Sequence, residues 1–343
     1  MPGTAGGSPE GHHDAAQASH PFAGLTPDFI LAAVEACGHR CDGRLLALNS
    51  YENRVYQVGR EADEPLVVKF YRPARWSDAA IAEEHALVAE LAAQELPVVA
   101  PLADADGVTL RHYGGFRLAV YPRRGGRAPE LDRRDNLVIM GRFLARMHTV
   151  GATRPFVHRE AITVEGFGHD SVAFLAERWI PRDLSAAYAS ITRDLFAHIE
   201  ARFAQAEGVR ILRVHGDCHA GNVLWRDERP HFVDFDDARM APAVQDLWML
   251  LSGDGEEQRG QLDAVLEGYD EFAEFDYREL ALVEPLRTLR MLHYSAWLAR
   301  RWDDPAFPQA FPWFANQAYW ERHVLELREQ LAALAEPYGQ AAY

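Results

Sequence analysis

Cysteine is scarce in this 343-residue chain, which holds only Cys37, Cys41 and Cys218. So few, and an odd number, exclude a disulfide scaffold and suit free thiols in a reducing compartment. Cys37 and Cys41 stand as C-x3-C, but no second Cys/His pair lies nearby to complete a zinc site. No uninterrupted apolar stretch reaches the ~18 residues of a membrane span. Residues 1–20 lack the basic start and apolar middle of a secretion signal. Basic charge is short as well: 35 Lys+Arg against 51 Asp+Glu leave a net charge of −16. That balance repels a phosphate backbone and argues against unaided nucleic-acid binding. With 48% hydrophobic residues, the chain reads as a globular, cytoplasmic protein without nucleic-acid or membrane partners, and a monomer is expected.

The pattern along the chain divides it into three parts. Residues 1–24, rich in Gly, Ala, Ser and His, read as a flexible tail. Thr26-Pro27-Asp28 then opens a helix ending at Gly38. β-like runs follow at Arg44–Leu48, Val55–Val58 and Leu66–Tyr71, then a helix from Ser77 to Glu95, then runs at Val108–Arg111 and Phe116–Tyr121. This order predicts a small β-rich lobe over residues 25–122. The breakers Pro122 to Arg127 mark a linker. Residues 123–343 carry helical periodicity, interrupted by β-like runs at Ile211–Val214 and His231–Phe235. The fold class is therefore α+β, with a small β-rich N-terminal lobe and a larger, mainly helical C-terminal lobe.

The interruption holds the chemistry. Val214 is followed by H-G-D-C-H-A-G-N (His215 to Asn222), and Phe232-Val233 by Asp234-Phe235-Asp236. Asp217 and Asn222 lie five apart, and Asp234 comes twelve residues after Asn222 at the expected end of the next strand. A carboxylate and an amide oxygen suit a hard divalent cation, and a second carboxylate can accept a proton from a hydroxyl. The spacing matches the kinase pattern H-R-D-x-x-x-x-N followed by D-F-G, with Gly216 in place of Arg and Asp236 in place of Gly. Asp217 is the candidate base, and Asn222 and Asp234 are the candidate ligands of that cation.

Upstream, Lys69 sits in the apolar run Val67-Val68-Lys69-Phe70, where an ammonium is costly without a partner. The following helix offers Glu84 to pair with it, with consecutive Glu83 as the competitor, because only one of two adjacent helical residues faces inward. Asn49 to Asn53 occupies the place of a phosphate loop but has no glycine-rich signature, so Ser50 and nearby N–H groups are the candidate ATP contacts. Asp246, opening an apolar helix, is expected to brace the catalytic-loop backbone.

These motifs resemble the aminoglycoside phosphotransferase and choline kinase superfamily, whose fold is protein-kinase-like and bilobal. Within it, L-N-S-Y-E-N (Leu48 to Asn53), V-K-F-Y-R-P (Val68 to Pro73) and P-A-V-Q-D-L-W (Pro242 to Trp248) are similar to bacterial serine/threonine kinases of the stress response. The resemblance implies ATP and Mg2+ as cofactors, Asp217 as proton acceptor, Asp234 and Asn222 on the metal, and Ser50, Lys69 and Glu84 at the nucleotide. It also implies protein Ser/Thr hydroxyls, including the chain's own, as acceptors. Only eleven residues separate Asp234 from Asp246, too few for a long activation segment. A small-molecule kinase of the aminoglycoside, choline or homoserine type is the alternative. The acidic stretch Glu267 to Asp276 would then line a cation pocket, and a solvated helix face is the plainer account of it.

Overall fold

Thr26 caps the first helix by accepting the Phe29 N–H, and Pro27 pre-sets its first turn, giving α1 (Pro27–Ala36). The computed structural model describes residues 20–336. Most of the expected tail, with His12 and His13, lies outside them. His20 to Gly24 are described and form a turn, and Phe22, only 4% exposed, packs into the sheet core, so order starts before Leu25. An aromatic ring gains more from burial than a tail gains from freedom.

Five antiparallel strands follow: β1 (Cys41–Leu48), β2 (Arg54–Arg60), β3 (Asp63–Phe70), then, after α2 (Asp78–Ala93), β4 (Arg111–Tyr113) and β5 (Phe116–Pro122). The sheet order is β1-β2-β3-β5-β4. β4 begins where the expected run Val108–Arg111 ended, because Gly114-Gly115 sets a hairpin pairing Arg111 with Leu118. β3 alternates as a half-buried strand should. Leu66, Val68 and Phe70 join Ile30, Ala33 and Val34 of α1 in one core, each worth about 1.5–3 kcal/mol of burial. Val67, Lys69 and Tyr71 turn to the opposite face, towards α2, which places Lys69 in the cleft.

The second lobe contains α3 (Arg134–Gly151), a π-helical turn (Val164–His169), α4 (Asp170–Arg178) and α5 (Ser185–Gln205). Next come β6 (Leu212–Val214), β7 (Val223–Arg226), β8 (Arg229–Phe232) and β9 (Arg239–Ala241). The chain finishes with α6 (Val244–Trp248), α7 (Gly255–Asp270), α8 (Val283–Arg300), α9 (Ala306–Ala310) and α10 (Gln317–Ala335). The core here joins α3, α6 and α7 to Leu87, Val88 and Leu91 of α2, so α2 serves both lobes. The aromatic group Phe307, Phe314 and Trp320 is core, and Trp302 packs against it. The three cysteines are free thiols. Among the described residues, no helix is long and apolar enough to cross a membrane.

Candidate active site

The loop between β6 and β7 is built on a buried carboxylate. Asp246, fully buried at the start of α6, accepts the N–H groups of His215 and Gly216, each at 2.8 Å. His148 of α3 supports it from behind, its Nε2 3.1 Å from the same carboxylate. Gly216 has φ +82°, and a Cβ there would collide with the Asp237 carbonyl, which explains why arginine of the usual kinase loop cannot stand here. His215 donates from Nε2 to the Val233 carbonyl (2.9 Å) and accepts the Asp217 N–H at Nδ1 (3.3 Å). The expected brace is present, and it ties the Asp217 loop to the Asp234 segment.

Asn222 donates its amide N–H to the Asp217 carbonyl (2.9 Å) and to its carboxylate (3.3 Å). Its carbonyl oxygen is thereby left as the atom able to ligate. Val233 N–H donates to the Asn222 backbone carbonyl (3.0 Å), which leaves the side-chain Oδ1 free and sets the two candidate ligand residues on adjoining backbone. Asp234 does not end a strand as expected: β8 stops at Phe232 and Asp234 has φ +61°, ψ +63°. A left-handed non-glycine residue costs of order 1–3 kcal/mol, and here it turns a half-exposed carboxylate into the cleft.

Lys69, paired across the sheet with Val55 and Ala119, is buried and donates to Asp234 at 2.8 Å. Asp236 and Glu84 lie 3.8 and 3.9 Å from the same ammonium. Burial opposes the lysine's charge, but Asp234 and Asp236, with Glu84 behind them, outweigh it and hold its pKa well above the ordinary value. Three carboxylates around one ammonium are more than it can neutralise. Glu84, the most deeply desolvated, is pushed up to about 7 by burial, against the pull of Lys69 and Arg159. The choice between neighbouring glutamates is thus resolved by position. Glu84 faces Lys69, while Glu83 accepts the backbone N–H groups of Val157, His158 and Arg159.

Asp217 is partly buried, which raises a carboxyl's pKa, yet His219 at 3.4 Å and Arg290 at 2.7 Å hold it below the usual range. It is therefore an anion at neutral pH. Cys218 beside it is fully buried in the core, with its thiol pKa raised by that burial, and is no nucleophile.

Ser50 lies in the β1–β2 turn, where its hydroxyl donates to the Asn53 carbonyl (3.2 Å). Arg72 donates to the Glu52 carbonyl (2.9 Å) and to Asp304 (2.6 Å), and Arg54 also pairs with Asp304 (3.1 Å). Glu52 bonds Trp297 and Arg301 of the second lobe. Arg75 joins Asp236 and Asp237 to the first lobe. Sequence reasoning missed Arg54, Arg72, Arg75, Arg290, Arg301 and Asp304. The only trace they leave is the repeated arginine of Y-R-P-A-R-W (Tyr71 to Trp76) and the arginine spacing along α8. The acidic stretch in α7 and beyond divides: Glu267 bonds Arg134 and Glu271 pairs with Arg142 at 2.7 Å on the surface, whereas Glu274 and Asp276 line a cavity together with Arg210 and Arg278.

An all-oxygen donor pair, Asn222 and an accessible Asp234, fits a hard divalent cation that keeps water and phosphate oxygens as further ligands. Asp217, Asn222, the Asp234 segment, Lys69 and Glu84 thus form one linked cluster, while Ser50 contacts only its own turn. A family model described as "Phosphotransferase enzyme family" matches residues 44–283. The chain belongs to the phosphotransferase enzyme family. Stress response kinase A of Escherichia coli (strain K12) is 49% identical over 317 residues, 92% of this chain and 95% of that protein. Serine/threonine protein kinase RdoA of Salmonella typhimurium (strain LT2) is 46% identical over the same coverage of this chain, 92%, and 95% of its own. Among solved structures, an amicoumacin kinase in complex with AMP-PNP, Ca2+ and Ami aligns with TM-score 0.68 at 19% identity, over 89% of this chain and 93% of that one. A microcompartment-associated aminopropanol kinase aligns with TM-score 0.67 at 18% identity, over 90% and 99%. The phosphotransferase therefore has the expected fold: a small antiparallel-sheet lobe and a helical lobe, as in the aminoglycoside and choline kinases.

Proposed function

We propose that this phosphotransferase is an ATP- and magnesium-dependent kinase that phosphorylates Ser and Thr hydroxyls of proteins, itself included, in a bacterial stress response. In this reading it works as a cytoplasmic monomer, with residues 25–122 holding the nucleotide and residues 123–343 supplying the catalytic loop, the metal ligands and the acceptor side.

The observation that carries phosphotransfer is the single hydrogen-bonded unit formed by Asp217, Asn222, the Asp234 segment and Lys69. The protein acceptor is supported by the 46%-identical relative whose name is a serine/threonine protein kinase. Asn222 and Asp234 would hold magnesium, which when bound supplies positive charge against the phosphates. Lys69 turns its ammonium from Asp234 to the phosphate oxygens, with Glu84 keeping it in the cleft. Ser50 and the β1–β2 backbone meet the nucleotide from above. Asp217 accepts the hydrogen bond of the incoming hydroxyl and takes its proton as the oxygen attacks.

Incubating the pure protein with γ-labelled ATP and magnesium, beside Asp217→Ala, tests this. Label is expected on the parent protein and reduced about 10²–10⁴-fold in the variant. Equal labelling of both would remove Asp217 from the chemistry.

A further inference from the structure

The acceptor side of the cleft is walled by α8, along which Arg287, Arg290, Tyr294, Trp297 and Arg301 recur at spacings of three and four. That spacing keeps them on one helical face. The arginines at the ends have their own carboxylates: Arg287 pairs with Glu284 at 3.2 Å, and Arg301 pairs with Glu52. Arg290 is different. Its counter-charge is Asp217 itself, at 2.7 Å, and its side chain is 39% exposed. One turn on, Tyr294 stacks on Trp297 (ring centroids 5.6 Å apart, planes 20° apart) and is 38% exposed. Across the carboxylate stands His219, 3.4 Å from Asp217. The approach to the base therefore runs between a guanidinium, an imidazole and an aromatic pair, and the one acidic residue on that stripe, Glu284, is paired with Arg287.

Asp217 cannot remain paired with Arg290 and also take a hydroxyl's proton at the same oxygen. When the acceptor arrives, the partly exposed guanidinium faces it without its anion and offers an acidic side chain a charge-assisted contact next to the base. An ammonium-bearing acceptor such as an amino alcohol would instead meet like charge. The net charge of −16 does not reverse this, because it is screened beyond about 8 Å at physiological salt, whereas Arg290 acts at contact. We infer that Arg290 sets acceptor specificity and that the acceptor is a Ser or Thr flanked by Asp or Glu side chains, an acidic peptide segment held by the guanidinium next to the base.

The inference rests on the protein-kinase reading, and the test separates the two. Three serine peptides, identical except for Asp, Ala or Lys beside the serine, are assayed for kcat and KM with the parent protein, Arg290→Ala, Arg290→Lys and Arg290→Glu. The parent is expected to favour the Asp peptide over the Ala peptide by about tenfold in kcat/KM, mainly through KM. Arg290→Ala abolishes that preference, Arg290→Lys keeps part of it, and Arg290→Glu turns it towards the Lys peptide. The Ala and Lys variants cover the case in which charge reversal unfolds the chain. Equal use of the three peptides by the parent overturns the inference while leaving the protein-kinase reading in place. So does a rise in KM for ATP, alike on every peptide, in Arg290→Ala, since the arginine would then hold nucleotide phosphate. No labelling of any peptide together with turnover of an amino alcohol overturns both.

Discussion

Two loops meet in the cleft, and they are held by different physics. The catalytic loop, His215 to Asn222, is anchored from inside: a fully buried Asp246 takes two backbone N–H groups, and His215 and Asn222 link it to the Asp234 segment. The β1–β2 loop, Asn49 to Asn53, is anchored from outside by side-chain charges: Arg54 and Arg72 to Asp304, and Glu52 to Arg301 and Trp297. Buried carboxylate-to-backbone bonds have no substitute once broken, because the N–H groups lose their partner away from water. The pairs of the second loop are largely buried too, but they join side chain to side chain between the lobes, so losing one leaves the loop's backbone hydrogen bonds in place. The first loop is thus a fixed template for the base and the metal ligands. The second ties the first lobe to α8 and the segment after it.

The largest effect that breaks the comparison is expected from Asp246→Ala, which orphans both N–H groups and the His148 contact. It should cost about 3–5 kcal/mol in denaturant melts and at least about 100-fold in phosphotransfer rate. An undisturbed melt would mean that the loop holds itself. Gly216→Ala comes next. Its positive φ and the nearby Asp237 carbonyl predict a loss of about 1–2 kcal/mol from the backbone alone, with a drop in rate larger than any drop in ATP affinity. Glu52→Gln removes a largely buried charge shared by Arg72 and Arg301 while keeping an acceptor for Trp297, and should cost about 1.5–2 kcal/mol. Amide hydrogen exchange should speed up over residues 49–53 and stay unchanged over residues 215–222. Acceleration in both would show that the loops move as one body.

A further effect concerns pH. Two buried carboxyls in the cleft's support are raised from an ordinary value of 4.5 to about 7: Glu84 behind Lys69, and Glu279, which accepts the Val244 N–H, at the start of α6. In both, desolvation favours the protonated form. The folded state therefore holds these protons more tightly, and their contribution to stability is complete below about 4.5 and lost as pH rises through about 7. Melting temperature against pH should fall through that window. Glu84→Gln and Glu279→Gln should each flatten part of the slope, and an unchanged slope in both would contradict the burial argument.

The two loops also differ in how far they were legible in the sequence. The catalytic loop announces itself because its chemistry is compressed into eight consecutive residues and a short β-hairpin, and Asp246 follows within the same supersecondary unit. Lys69 was readable as a charge embedded in an apolar strand, but adjacency left Glu83 and Glu84 open until the face of α2 was known. The partners of the β1–β2 loop were not readable. Arg54 and Asp304 are 250 residues apart, and Arg72 and Asp304 are 232 apart, and no local pattern connects them. α4 escaped for another reason: only Ser171 and Leu175 are buried in it, too short an apolar pattern to stand out. The left-handed Asp234 had no signal either, since strand propensity ran on through Phe235.

The measurement that tests the account most directly is a phosphosite map of the pure protein after incubation with ATP and magnesium, with Asp217→Ala as its pair. The account predicts phosphoserine or phosphothreonine on the parent chain and none on the variant. A parent chain that acquires no phosphate while it consumes ATP on addition of an amino alcohol or aminoglycoside would contradict it.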